Sequence, residues 1–220
     1  MTHRPTLPPD VQQLLELAQQ HAPPRGFSPW LVLGLAFAES NFGRALKPAG
    51  PSGSGDFIPR PCNPVRDARM KATPLPGVVC RTLAGGIPSR KLAGPVQAWC
   101  PTSHGWGVGV FQIDFESHHD FIKRGTWRDV GACMQYALDV LEQARRHLSQ
   151  ACGLRGDELL DATVAAYNAG AGRVASFVRQ NKPLDGATFR PGYVAKIKTK
   201  ADELAGFAGA WRASTGATNA

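Results

Sequence analysis

The sequence predicts an α+β fold that is mostly α, with a small β element and a long loop insertion. Three observations carry this. Apolar residues recur at helical spacing in separate segments before residue 43 and after residue 129. Between them, the stretch from Gly105 to Asp114 alternates and is punctuated by glycine, as a short hairpin or extended loop would be. Residues 47–103 are rich in Pro and Gly with little periodicity, and are too many for an ordinary connection.

Taken in order, Asp10 is read as the cap of a first amphipathic helix in which Val11, Leu14, Leu15 and Ala18 share a face, and Pro23-Pro24 ends it. Ser28 as N-cap and Pro29 at the first helical position open an apolar helix through Phe42, with Gly43 placed for a C-cap. The insertion reads as ordered, because Phe57, Val78, Val79, Trp99 and Cys100 supply apolar anchors that disordered tracts lack. After the hairpin, Asp129 caps the longest helix, where Val130, Cys133, Met134, Ala137, Leu138, Leu141, Ala144 and Leu148 keep helical period. Asp157 caps another helix to about Asn168, and Gly170 and Gly172 mark a break. A short helix then reaches about Gln180, and the last runs from about Pro191 to Leu204. Residues 1–206 are expected to form one domain, with 207–220, rich in Ala, Gly, Ser and Thr, as a flexible tail.

Charge and cysteines narrow the setting. An excess of 25 Lys+Arg over 17 Asp+Glu gives a formal charge of +8, which favours association with anionic polymers: nucleic acid, acidic lipid surfaces or cell-wall glycans. Net charge is all that speaks for nucleic acid, and Lys196-Ile197-Lys198-Thr199-Lys200 alternates as the wet face of a helix does. The longest apolar stretch is too short to span a membrane, and the amino terminus lacks the apolar core of a secretory leader. Of the five cysteines, Cys133 and Cys152 lie roughly 28 Å apart along the longest helix, beyond disulfide reach. Cys62, Cys80 and Cys100 share one irregular segment, so a bridge is expected between two of them. No Cys-x-x-Cys pair or matching His spacing is present, so no metal is expected.

Glu39 stands out. It falls in the last turn of the run Trp30-Leu31-Val32-Leu33-Gly34-Leu35-Ala36-Phe37-Ala38, where a carboxyl has no inexpensive structural explanation. Apolar surroundings and the negative end of the helix dipole both disfavour ionisation there, which is how a general acid is made. A boundary glutamate turned to solvent fits this segment as well.

Three separated blocks bear on that choice: Glu39-Ser40-Asn41-Phe42-Gly43, Gly107-Val108-Gly109-Val110-Phe111-Gln112-Ile113-Asp114, and Ala165-Ala166-Tyr167-Asn168-Ala169-Gly170-Ala171-Gly172. In order and spacing they resemble the lysozyme-like glycosidases, specifically the goose-type lysozymes, which are related to the soluble lytic transglycosylases. The trailing Asp114 favours the goose type. The resemblance covers roughly residues 28–200 outside the insertion. It implies a lysozyme-like fold and a peptidoglycan-degrading hydrolase, cleaving the β-1,4 bond between N-acetylmuramic acid and N-acetylglucosamine. No cofactor is implied.

In that reading Glu39 is the general acid and Asp114 is the first candidate to hold the attacking water. A turn-capping aspartate after a strand is the plainer reading of Asp114. Family members often carry another Asp about eleven residues earlier, which here falls at Ser103. Asp56, on a Gly-rich loop, is the candidate substitute; a loop aspartate paired with Arg60 is its alternative. Gln112, His118, Tyr167, Asn168 and Tyr193 fall where the family contacts substrate, whereas His104 and His119 read as surface. Trp99, Trp106 and Trp127 read as core or loop anchors. The expected partners are peptidoglycan glycan strands, with no nucleic acid and no membrane insertion, for a monomer acting at the cell wall or extracellularly. The rival readings are a lytic transglycosylase or chitinase on the same fold and, in another class, a catalytically weak cell-wall binding protein.

Overall fold

The computed structural model describes residues 7–46, 49–51, 53 and 107–215. Asp56, Ser103, His104, Trp99, Trp106 and cysteines 62, 80 and 100 lie outside the described residues. The chain divides into two compact units: Met1–Ala38 with Met134–Ala220, and Glu39–Cys133.

The first unit is helical. Helix α1 (Pro9–His21) starts earlier than an Asp10 cap implied, because Pro9 already has the φ of a first helical residue; Asp10 sits inside the first turn, where its charge suits the dipole. Its buried face is Val11, Leu14, Leu15 and Ala18, as the periodicity required. A 3₁₀ turn, Pro23–Arg25, follows and ends at Gly26 in the left-handed region. Arg25 donates to the carbonyl of Gln135 at 2.7 Å, and Arg145 donates to the carbonyl of Arg25 at 2.7 Å while lying over the Phe27 ring.

Helix α2 (Pro29–Ser40) opens as the sequence implied, with the Trp30 amide 3.2 Å from Ser28 Oγ. Leu31, Val32, Leu33, Leu35, Ala36 and Ala38 are buried. Gly34 is a point of close approach: a Cβ there would lie 2.5 Å from the carbonyl oxygen of Ile197.

The β element belongs to the second unit: β1 (Gly107–Val108) pairs antiparallel with β2 (Ile113–Asp114), Gly107 facing Asp114 and Val108 facing Ile113. Helix α3 (Phe115–Lys123) follows directly. The sequence reading had no helix there, since the polar run from Glu116 to Asp120 masks its period. A 3₁₀ turn, Thr126–Arg128, then buries Trp127.

Helix α4 (Val130–Cys152) is capped by Asp129, whose Oδ1 accepts from the Ala132 amide at 2.7 Å. Cys133 and Cys152 are both free thiols. Helix α5 (Gly156–Ala169) begins after Arg155, so Asp157 lies in the first turn and not at the cap; Gly156, at φ 53°, makes the entry through the backbone. Gly170 separates α5 from α6 (Ala171–Arg179), the expected break. Helix α7 spans Tyr193–Thr215, and its Ala residues favour that conformation. No helix among the described residues is long and apolar enough to cross a membrane.

Candidate active site

Helix α2 stops at Ser40 because the next two residues leave the helical basin: Asn41 has φ 51° and Phe42 φ 59°, followed by Gly43 at 89°. The expected helix through Phe42 is therefore two residues too long. Left-handed backbone is uncommon outside glycine and is an outlier for a residue as bulky as Phe42. Such strain costs on the order of 1–3 kcal/mol and persists only where surrounding contacts over-determine it.

Ser40 supplies those contacts. Only 1% exposed, its hydroxyl donates to the carbonyl of Val110 at 2.6 Å and accepts from the Gly43 amide at 2.8 Å. One buried side chain thus ties the Glu-Ser block to the hairpin. Glu39, half-buried, immediately precedes it in the final turn of α2. Sequence reasoning placed Ser40 in a block but missed this role; a small hydroxyl residue beside a helix-end glutamate was the available signal.

The hairpin is built around its glycines. Gly109, at φ 68°, accepts on its carbonyl from both the backbone and the side-chain amide of Gln112, at 3.1 and 2.8 Å. A Cβ at Gly109 would lie 2.9 Å from Cys133 Sγ and 3.1 Å from the Trp127 carbonyl oxygen, so glycine lets the turn settle against the first turn of α4. A Cβ at Gly107 would fall 2.5 Å from Gln112 Oε1. Gln112 itself has φ 50°, so three of the four described non-glycine residues with left-handed backbone belong to these two blocks. Val108, Val110, Phe111 and Ile113 are buried, and burial pushes the Cys133 thiol up to about 12, against an opposing pull from the Phe111 and Val110 amides.

Asp114 does what its plainer reading said: it caps α3, with Oδ2 accepting from the Ser117 amide at 3.0 Å and the Ser117 hydroxyl at 2.8 Å. His118 follows at a kink in α3, with φ −133° and ψ 33°. Its pKa is lowered by burial, with the Asp114 carboxylate pulling the other way, so the imidazole is biased to its neutral form.

The second unit accordingly contains Glu39, Gln112, Asp114 and His118. Tyr167, Asn168 and Tyr193 are in the first. Tyr167 and Asn168 are half-buried in the last turn of α5, and Asn168 Oδ1 accepts from the Phe189 amide at 2.7 Å. Tyr193, expected to contact substrate, is 1% exposed. Trp127 is a core residue, its Nε1 without a hydrogen-bond partner. Among the described residues, no group of three or more His, Cys, Asp or Glu side chains is arranged to hold a metal ion. Comparison with protein-family models and with curated protein sequences returned no match.

Proposed function

We propose that this chain is a peptidoglycan-degrading glycoside hydrolase of the goose-type lysozyme-like kind, with Glu39 as general acid. The observation that carries the reading is the buried Ser40 hydroxyl, which joins the helix end bearing Glu39 to the hairpin ending in Asp114 within one compact unit. Backbone strain gathered at this junction also marks it as a functional candidate. The charge of +8 suits an anionic wall polymer.

In the inverting scheme, Glu39 protonates the glycosidic oxygen as its bond to the anomeric carbon breaks. A water attacks that carbon from the opposite face and loses its proton to Asp114. Because Asp114 Oδ2 is committed to the α3 cap, Oδ1 is the oxygen left for the water.

The same cap favours a second reading. A capping role accounts for Asp114 without catalysis, and a lytic transglycosylase uses the substrate's own hydroxyl in place of an activated water.

The test exploits the fact that Asn caps a helix about as well as Asp, so Asp114→Asn leaves α3 in place while removing the base. On purified cell walls, Glu39→Gln is expected to lose 10²–10⁴-fold in lysis. Asp114→Asn is expected to lower kcat at least about tenfold with reducing-end products, and Asp56→Asn to be the next most damaging change. Mainly 1,6-anhydro-muramyl ends with Asp114→Asn near full activity would assign the transglycosylase reading. Lysis by Glu39→Gln within about threefold of the parent would end the glycosidase assignment.

A further inference from the structure

Phe189 is 69% exposed, the one large hydrophobic side chain among the described residues with this exposure. A single exposed aromatic means little by itself. What gives this one meaning is how firmly its backbone is held. Asn168, from the Tyr-Asn-Ala-Gly block, accepts from the Phe189 amide at 2.7 Å, and Arg173 Nε donates to the carbonyl of Ala187 at 2.6 Å. The Thr188 hydroxyl lies 3.0 Å from the Asp185 carbonyl oxygen and 2.9 Å from that of Arg190. Arg190 Nη1 donates to the carbonyl of Ala38 at 3.1 Å, tying the residue after Phe189 to the last turn of α2, one position before Glu39. Backbone tethers on both sides thus hold an apolar ring out in water, against the hydrophobic effect.

The ring's surroundings specify what fits it. The Arg173 guanidinium carbon lies over the Phe189 ring, 5.1 Å from its centroid, and 5.5 Å from the centroid of Phe177, so a planar array of N–H donors lies against one face of a ring that is still 69% exposed. A pyranose offers the matching pattern, an apolar C–H face to stack on the ring and a rim of hydroxyl and N-acetyl oxygens to accept from the guanidinium. An apolar protein partner would need a contiguous patch, and among the described residues Phe189 is solitary.

We infer that Phe189 is a glycan-stacking residue, with Arg173 as its polar flank and Asn168 as the positioning residue that sets its backbone. This rests on the peptidoglycan reading and deepens it. The tether from Arg190 to Ala38 joins the stacking residue's segment to α2 within the same compact unit, so the ring is presented from a fixed backbone.

Kinetics on purified peptidoglycan and a binding titration test it together. Phe189→Ala, at an exposed position, is expected to fold normally and raise KM about fivefold or more with kcat nearly unchanged, while Phe189→Tyr restores the parent KM. In a protein carrying ¹³C-labelled phenylalanine and Glu39→Gln, adding the soluble N-acetylglucosamine tetramer is expected to shift the Phe189 ring resonances. If the parent cleaves peptidoglycan and Phe189→Ala leaves KM within about twofold, the inference fails while the hydrolase stands. A fall in kcat with KM unchanged also overturns it, since the segment would then only brace α2. Ring shifts without cleavage by the parent would keep the stacking residue and refute the hydrolase. Neither shifts nor cleavage would refute both.

Discussion

Around Ser40 the polar groups are buried and answered within the fold, whereas around Phe189 the polar groups work at the surface to hold an apolar ring outward. The first region joins segments 70 residues apart through one hydroxyl and carries left-handed backbone at Asn41, Phe42 and Gln112. The second uses the exposed or half-buried Arg173 and Asn168 side chains on backbone atoms, beside a buried Thr188, and carries no such strain between Asp185 and Arg190. The difference teaches that rigidity has two physical sources here. Buried, satisfied hydrogen bonds are costly to break, because the remaining partner is orphaned away from water. Exposed tethers are inexpensive to break, because water replaces them. The proposed acid, Glu39, adjoins the first kind of region, and the proposed stacking ring, Phe189, stands on the second.

The largest effect is expected from Gly109→Ala in the strained region. It combines a φ of 68° with a Cβ 2.9 Å from Cys133 Sγ and 3.1 Å from backbone at Trp127. Overpacking and left-handed backbone together should cost about 3 kcal/mol, read as a lowered midpoint in urea. A loss under about 1 kcal/mol would mean that the turn relaxes freely and stores no strain.

Ser40→Ala comes next. It leaves the Val110 carbonyl buried without its hydroxyl donor, while the Gly43 amide keeps a second acceptor in the Ser40 carbonyl at 3.1 Å. A destabilisation of about 2 kcal/mol is expected, with lysis falling in step as the helix end loosens. If Ser40→Ala proved as stable as the parent, the hydroxyl bridge would not be what holds this junction.

Asn168→Ala should have the smallest effect on stability, below about 1 kcal/mol, since its bond to the Phe189 amide is solvent-accessible. Hydrogen exchange should nevertheless speed up at the Phe189 amide. Unchanged exchange there would remove Asn168 as the residue that fixes the segment.

Much of the helical framework was legible in the sequence, and its errors are instructive. Ser28 and Asp129 cap as read, since a cap is decided within three residues of itself. Asp10 and Asp157 fall inside their helices because Pro9 and Gly156 start them sooner, a competition between turn chemistries that pattern alone does not rank. Asp114 illustrates the limit: capping and catalysis both call for a carboxylate after a strand, and Ser117 at the capping distance was visible without identifying the helix it starts. Helix α3 stayed hidden because its polar run and its kink at His118 break the period.

What the sequence determined by itself was local: helical periods, proline and glycine boundaries, the separation of Cys133 from Cys152, and a charge of +8. Each depends on neighbours within a turn or two of the chain, or on composition, and needs no knowledge of the fold. The tertiary structure alone decided that the Ser40 hydroxyl meets Val110, that Tyr193 is buried, that Gly109 makes room for Cys133, and that Phe189 faces water. Those outcomes join residues far apart in the chain, and such contacts form only once packing has met the entropy of closing the intervening loop.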